Sequence, residues 1–147
     1  MTLSTSMNTG LGLDLTIQDG DKDTVYNIVE IFHSVQGEGY RSGIPHVFIR
    51  FGRCNLRCEW CDTNFDIYEE MTAEDIMTAV AKFSCNNIIF TGGEPMLNDL
   101  WPLARILKHE GYHLSVESNG TVVIPEGLLD WICISPKDQM YPNVSIK

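Results

Sequence analysis

Three cysteines, Cys54, Cys58 and Cys61, lie within eight residues of the sequence. A disulfide would use two of these thiols and leave the third unpaired. A structural zinc site takes four ligands, and the other candidates, His46 and Cys85, lie upstream and far downstream. Three thiolates on one loop can instead hold three corners of an iron–sulfur cubane, which proteins usually bind through four cysteines. One iron would then keep an open position at which a small molecule can bind and react.

The residues around this motif bear on its chemistry. Arg53 and Arg57 are cations beside the cysteines, and we expect them to favour thiolate over thiol. The two remaining cysteines, Cys85 and Cys133, have apolar neighbours and are predicted to be small core residues. The four histidines show no ligand spacing, and each is predicted to be exposed or internally satisfied: His33, His46, His109 and His113. The tight spacing favours a cluster over an incomplete zinc site or three unrelated thiols.

The elements that must position these cysteines alternate between strand and helix. Strands are predicted over residues 25–32, 46–51, 86–91, 113–117 and 131–135. One helix is predicted to be capped by Thr72, and a second to run from a cap at Asp99 to Gly111. This alternation predicts βα units and a parallel sheet.

Polar stretches follow the predicted strands. They are residues 54–63, 92–95, 118–121 and 135–137. Because the carboxyl ends of parallel strands meet at one edge, where α/β sheets and barrels bind ligands, we expect these stretches to form one rim. That convergence indicates that the cysteines serve catalysis and not fold stability alone.

Two further features point to a ligand. Residues 34–39 form a turn with glycines on either side of Glu38, where the backbone can approach a bound molecule; an ordinary hairpin turn fits this piece equally well. Arg50 stands within an apolar strand, and a buried guanidinium needs a partner. The partner is a structural carboxylate or an anionic ligand, and we favour the ligand.

Composition limits the class of protein. The chain has 147 residues, 44% of them hydrophobic, which suits one folded domain. A formal charge of -10 argues against nucleic acid or an anionic membrane as a partner. No apolar run approaches the ~20 residues of a membrane span, and the first ten residues lack the features of a secretory signal. Clustered cysteines fit a reducing cytoplasm. Residues 1–24 are predicted to be a flexible tail and residues 25–147 the core.

The motifs resemble a known enzyme class. The cysteine motif with Trp60 before its last cysteine resembles the radical S-adenosylmethionine enzymes, and residues 92–94 (GGE) resemble their second signature, which meets the amino group of the methionine moiety. Within that class, five stretches between residues 26 and 137 resemble the 7-carboxy-7-deazaguanine synthase family: 36–39, 48–50, 61–63, 91–95 and 135–137. The implied fold is α/β, a partial (β/α) barrel of the radical S-adenosylmethionine type with a parallel sheet.

The resemblance implies the activity and its site. The family converts 6-carboxy-5,6,7,8-tetrahydropterin to 7-carboxy-7-deazaguanine with loss of ammonia, in the synthesis of queuosine-type nucleosides. It uses a 4Fe–4S cluster, S-adenosylmethionine and Mg²⁺. Implied metal ligands are Cys54, Cys58 and Cys61 for the cluster and Thr63 for Mg²⁺. Implied contacts to S-adenosylmethionine are Trp60, Cys61, Asp62, Gly92, Gly93, Glu94, Ser135, Pro136 and Lys137. Implied contacts to the pterin are Val35, Gln36, Gly37, Glu38, Arg50 and Thr91.

The resemblance also implies partners. The reduced cluster would pass one electron to the sulfonium, so an electron donor such as flavodoxin or ferredoxin is expected. A cytoplasmic homodimer is expected as well. No further side chain is assigned a catalytic role.

The sequence departs from the family in length. A complete barrel usually takes roughly 200 residues or more, so we expect a barrel truncated at its C-terminus and completed by a partner chain or left open. Three alternatives stay open. The first is a glycyl-radical enzyme activase, against which residues 36–39 and 135–137 argue. The others are a non-catalytic iron–sulfur binding or regulatory module and, least favoured, a zinc-binding structural domain.

Overall fold

A computed structural model of the chain describes residues 14–137 and 145–147. Within these residues six strands form a single sheet in the order β3-β1-β2-β4-β5-β6. The strands are β1 (Val25–Val35), β2 (Pro45–Phe51), β3 (Glu69–Thr72), β4 (Asn87–Gly92), β5 (His113–Ser118) and β6 (Trp131–Ile134). Two α-helices, α1 (Ala73–Val80) and α2 (Trp101–His109), and two short 3-10 helices, Asp21–Asp23 and Pro95–Leu97, complete the elements.

The sheet is mixed, with a parallel half and an antiparallel half. Strands β2, β4, β5 and β6 are parallel neighbours, which confirms the predicted α/β architecture. The predicted parallel sheet is formed by these four strands, and β1 pairs antiparallel with both β2 and β3. Residues 36–44 between β1 and β2 are too few for a parallel crossover, which takes a dozen residues or more. The short polar strand β3 was not predicted, since an edge strand needs no apolar alternation.

The core lies between the parallel strands and the two helices. Ile49, Ile88, Phe90 and Leu114 are fully buried on the strands. The predicted cap of α1 is confirmed: the Thr72 hydroxyl accepts the Asp75 N–H, and the Asp75 carboxylate accepts the Thr72 N–H. Helix α1 thus begins at a defined residue and holds its apolar side against the sheet.

Helix α2 begins one residue later than predicted. Its N-cap residue is Leu100, and the Asp99 carboxylate accepts the Trp101 N–H at 3.1 Å. Leu103 and Leu107 are fully buried against the sheet. None of the helices in the described part of the chain is both long and apolar enough to cross a membrane.

The structure differs from the predicted tail over residues 14–24. The Asp21 carboxylate accepts two hydrogen bonds from the Arg105 guanidinium of α2, at 2.6 and 2.7 Å, and Leu15 is 8% exposed. The bond from Arg105 lowers the pKa of Asp21. Local composition does not reveal a partner 84 residues away. Residues 1–13 of the predicted tail lie outside the described part of the chain, and the core boundary at residue 25 stays a prediction.

His46, Cys85 and Cys133 have surroundings that indicate structural roles. Buried His46 has both ring nitrogens paired, Nδ1 with the Ile44 carbonyl at 2.8 Å and Nε2 with Arg41 Nε at 3.3 Å. Burial lowers the pKa of His46. Cys85 packs against the core, as predicted. Cys133 is half-buried on β6, and burial raises the pKa of its thiol.

Candidate active site

A cavity of about 420 Å³ lies at the carboxyl edge of the parallel strands. The loops after β2, β4, β5 and β6 all reach it. The predicted site residues that line it are Glu38, Arg50, Cys54, Cys58, Trp60, Cys61, Asp62, Thr63, Thr91, Gly92, Gly93, Ser135 and Lys137. Stretches separated by up to 99 residues in the sequence therefore meet around one space.

Five predicted site residues are not among those lining the cavity: Val35, Gln36, Gly37, Glu94 and Pro136. Val35 is 57% exposed at the end of β1, whereas Gln36 is buried. Gln36 is connected to the cavity through its hydrogen bond to a lining residue, described below. The roles assigned to these five residues stay predictions.

The glycine turn after β4 (residues 92–94) lies directly against the start of the cysteine loop (residues 53–63). The Gly93 N–H donates to the Phe51 carbonyl and the Glu94 N–H to the Arg53 carbonyl, both at 3.0 Å. A Cβ atom on Gly93 would lie 1.7 Å from the Arg53 carbonyl oxygen, and Gly92 has φ 130°. Only glycine permits this approach and this backbone conformation. The two signature motifs are therefore joined by backbone contact.

The Glu94 side chain turns into the protein instead of the cavity. It is fully buried, and one carboxylate oxygen accepts the Ser118 hydroxyl at 2.9 Å and the Met96 N–H at 3.0 Å. The other oxygen accepts the Asn119 N–H at 2.8 Å. Three donors satisfy this buried carboxylate. In this structure Glu94 holds the turn after β5.

The cysteine donors fit a cluster better than a single metal ion. All three line the same cavity. No group of three His, Cys, Asp or Glu side chains among residues 14–137 and 145–147 is arranged to hold one ion, as a structural zinc site requires. A cubane binds its cysteines to different irons, so their sulfurs need not meet at one point. Three thiols around a cavity that leaves room for a further ligand match a cluster with one open iron.

The two arginines beside the cysteines contact other side chains. Arg53 packs over the Tyr68 ring, 5.6 Å from its centroid, and Arg57 pairs with the Asp66 carboxylate at 3.0 Å. Burial raises the pKa of Cys54, and a hydrogen bond from the Leu56 N–H opposes this shift. The arginines were expected to act on the thiols because of their position in the sequence, but these contacts direct them to aromatic and acidic neighbours.

The partner of Arg50 in the structure is a carboxylate, whereas the sequence analysis favoured an anionic ligand. Its Nε donates to Glu30 at 2.8 Å and its Nη1 to the Thr63 hydroxyl at 3.2 Å. The guanidinium carbon lies 5.6 Å from the centroid of the Phe32 ring. The side chain also lines the cavity. Arg50 is thus fixed by a carboxylate while one side remains available to a ligand.

Glu117 lines the cavity, although the sequence analysis gave it no role. One of its carboxylate oxygens accepts Gln36 Nε2 and the other accepts the Thr91 hydroxyl, both at 2.8 Å. These bonds fix the carboxylate and leave acceptor positions free for a ligand. Its place at the carboxyl end of β5, on the face opposite Val116, was the signal that could have found it.

Two residues that follow β6, Ser135 and Lys137, also line the cavity. Lys137 Nζ donates to the Ser135 hydroxyl at 2.7 Å and to its carbonyl at 3.1 Å. The Ser135 N–H donates to the Ser118 carbonyl at 2.8 Å, which extends the pairing of β5 and β6. An ammonium group is therefore held at the wall of the cavity that the cysteines also line.

The sequence model of the Radical SAM superfamily matches residues 48–141. This chain belongs to the radical SAM superfamily. Membership implies a 4Fe–4S cluster and S-adenosylmethionine, and the cysteine loop described above fits that donor set.

Curated relatives narrow the likeness. The 7-carboxy-7-deazaguanine synthase of Haemophilus influenzae is 46% identical over 118 residues, 80% of this chain and 56% of that protein. The enzyme of the same name from Escherichia coli K12 is 30% identical over 139 residues, 78% of this chain and 62% of that protein. This chain thus spans 56% and 62% of the two relatives.

A solved structure has the same fold. The crystal structure of QueE from Escherichia coli superposes with a TM-score of 0.75 at 29% identity, covering 84% of this chain and 64% of that one. The predicted partial fold of the radical SAM type is confirmed by this match.

Proposed function

We propose that this chain forms the site of a radical SAM lyase that converts 6-carboxy-5,6,7,8-tetrahydropterin to 7-carboxy-7-deazaguanine with loss of ammonia. The observation that carries the proposal is a single cavity lined both by the three cysteines and by a polar wall of Arg50, Thr91 and Glu117. The names of relatives up to 46% identical support the choice of substrate and product.

The cysteine side of the cavity would hold the cofactors. Cys54, Cys58 and Cys61 would ligate the cluster, and the backbone at Gly93 would meet the amino group of S-adenosylmethionine. When bound, the cluster and S-adenosylmethionine supply the one-electron chemistry that removes a hydrogen atom from the substrate. Ser135 and Lys137 line the same cavity and would bind the polar parts of the cofactor.

The polar part of the lining, Arg50, Thr91 and Glu117, would hold the pterin. Arg50 presents a positive charge suited to the substrate carboxylate. Glu117 is fixed by Gln36 and Thr91, so its carboxylate can accept N–H groups from the pterin ring without reorienting. A fixed acceptor and a fixed cation at two places in the cavity would hold the ring in one orientation, which supports a positioning role for this wall.

A magnesium site at Thr63 is part of the proposal. The Thr63 hydroxyl donates to Asp62 Oδ1 at 3.1 Å and accepts from Arg50. One hydroxyl is a weak ligand, but Mg²⁺ keeps several waters and takes further oxygens from its substrate. The pterin carboxylate would supply such an oxygen, and Arg50 would offset part of its negative charge.

The proposed partners follow from the chemistry. The cluster needs a one-electron donor, such as flavodoxin or ferredoxin. Cys61 and Trp60 are exposed, which supports electron entry from this side of the loop. A cytoplasmic homodimer is also proposed, and sedimentation of the purified protein would test it.

The decisive test is anaerobic reconstitution with iron and sulfide, followed by incubation with S-adenosylmethionine, a reductant and the pterin. We expect mass spectrometry to detect both 5′-deoxyadenosine and 7-carboxy-7-deazaguanine, and a Cys58→Ala variant to form neither. Formation of 5′-deoxyadenosine without the deazaguanine would overturn the proposed substrate. Formation of neither by a protein that contains the cluster would favour a non-catalytic cluster-binding module.

A further inference from the structure

A closed ring of three side chains joins the cysteine loop to the turn after β5. Asn55 Nδ2 donates to the Thr121 hydroxyl at 2.7 Å, and that hydroxyl donates to Asn119 Oδ1 at 2.7 Å. Asn119 Nδ2 then donates to Asn55 Oδ1 at 3.1 Å. Each bond has one donor and one acceptor, so the ring fixes the orientation of both amides.

Asn119 also connects the ring to Glu94, in the glycine turn after β4. Asn119 is 8% exposed, its Oδ1 also accepts the Thr121 N–H at 3.0 Å, and its own N–H donates to the buried Glu94 carboxylate. Removing one hydrogen-bond partner of a buried amide lowers the free energy of unfolding, because the amide is left unsatisfied. The loop at Asn55 is thus tied to the turn that follows β4 as well as to the one that follows β5.

The segment that the ring holds has no regular secondary structure, although Leu56 within it is buried. Residues 54–63 contain neither helix nor strand, and they follow Arg53, whose backbone has a positive φ of 66°. Asn55 comes directly after Cys54 and three residues before Cys58. Fixing its side chain therefore limits the movement of the backbone between these two cysteines.

We propose that Asn55, Asn119 and Thr121 are positioning residues that preset Cys54 and Cys58 to receive the cluster. The inference rests on the proposed function insofar as the cluster is held by this loop. A preset loop loses less conformational entropy when it binds a rigid group. Without the ring, Cys54 and Cys58 sample more conformations, so the loop takes up iron less completely and holds the cluster in a less uniform environment.

The first test measures amide hydrogen exchange in the apo protein. We expect Thr121→Val and Asn55→Ala to speed exchange of residues 54–61 about tenfold, the effect of losing hydrogen bonds that close a local structure. Thr121→Ser restores the hydroxyl and should exchange like the wild type. Thr78→Val is the matched control: it removes a threonine hydroxyl that bonds the Glu74 carbonyl on exposed α1 and should leave residues 54–61 unchanged.

The second test reads the cluster without activity. After reconstitution, Thr121→Val should hold less iron per chain, and the electron paramagnetic resonance signal of its reduced cluster should be broader, with Thr121→Ser like the wild type. Unchanged exchange at residues 54–61 in both Thr121→Val and Asn55→Ala would overturn the proposal. Exchange in β4 and β5 that became faster by the same factor as in residues 54–61 would overturn it too. Failure of the wild type to make the deazaguanine would leave these readouts intact, so it would count against the proposed function alone.

Discussion

The two sides of the parallel strands are held by different forces. On the helix side, Ile49, Ile88, Phe90 and Leu114 are fully buried, and stability comes from apolar burial. At the carboxyl rim, loops without regular structure are held by hydrogen bonds and by the close backbone contact at Gly93.

This difference separates stability from chemistry. Substitutions on the helix side should unfold the protein, whereas those at the rim should abolish cofactor or substrate binding in a folded chain. Glu94 belongs to both regions, because it is fully buried and also holds the turn after β5. The predictions below test the separation and this exception.

The largest expected effect on chemistry comes from Cys58→Ala at the rim. Loss of one of three ligands should reduce bound iron and sulfide after reconstitution to near background. Since Cys58 lines the cavity and is not part of the described core cluster, the free energy of unfolding should change by less than about 0.5 kcal/mol. Iron analysis and urea denaturation of the same preparation check both points. A variant that retained a full cluster would contradict the assigned ligand set.

The largest expected effect on stability comes from Phe90→Ala on the helix side. Phe90 is fully buried and packs edge-to-face on Phe51, with ring centroids 5.8 Å apart. Truncation should cost about 3–5 kcal/mol in the free energy of unfolding, measured by urea denaturation. Ile67→Ala, at a side chain 71% exposed, is the control and should cost less than about 0.5 kcal/mol.

Glu94→Gln should affect both regions. The amide replaces one acceptor oxygen by a donor that faces either the Ser118 hydroxyl and Met96 N–H or the Asn119 N–H. We expect a loss of about 1–3 kcal/mol in unfolding free energy, together with faster amide exchange at residues 118–121. Thermal unfolding and exchange measured together check this. A loss of stability without faster exchange there would show that Glu94 is only a core residue.

The Asp21–Arg105 ion pair, which is not part of the rim, predicts that the free energy of unfolding depends on pH. Arg105 lowers the pKa of Asp21 in the folded protein, so the pair stabilises the fold above the unfolded pKa of the carboxyl group. That contribution is lost as pH falls through the lower, folded value. Asp21→Asn should cost about 1–3 kcal/mol at pH 7 and less at pH 3, measured by urea denaturation at each pH. An equal cost at both pH values would exclude the ion pair as its source.

Glu117→Gln should have a small effect on stability and a larger one on substrate binding. The side chain lines the cavity and is held by Gln36 and Thr91, so the amide can keep part of this bonding. We expect the KM for the pterin to rise about tenfold, the effect of one charge-assisted hydrogen bond. Unfolding free energy should stay within about 1 kcal/mol. Steady-state kinetics on the reconstituted protein provide the check, and an unchanged KM would remove Glu117 from the proposed pterin wall.

Much of the site was predictable because its motifs are local. The spacing of Cys54, Cys58 and Cys61 is a property of one loop, and the glycines at residues 92 and 93 mark a backbone approach that other residues cannot make. Apolar runs separated by helices predicted the parallel strands, since both faces of such strands are covered. Together these local features predicted the rim.

Only the tertiary structure decided which partners the polar side chains take. Gln36 and Glu117 are 81 residues apart, and Asp21 and Arg105 are 84 apart. Such pairs depend on strand order and register, to which no local pattern is sensitive. The inward turn of Glu94 and the contacts that direct Arg53 and Arg57 to Tyr68 and Asp66 have the same cause. Local spacing specified the donors, and long-range packing determined which groups they contact.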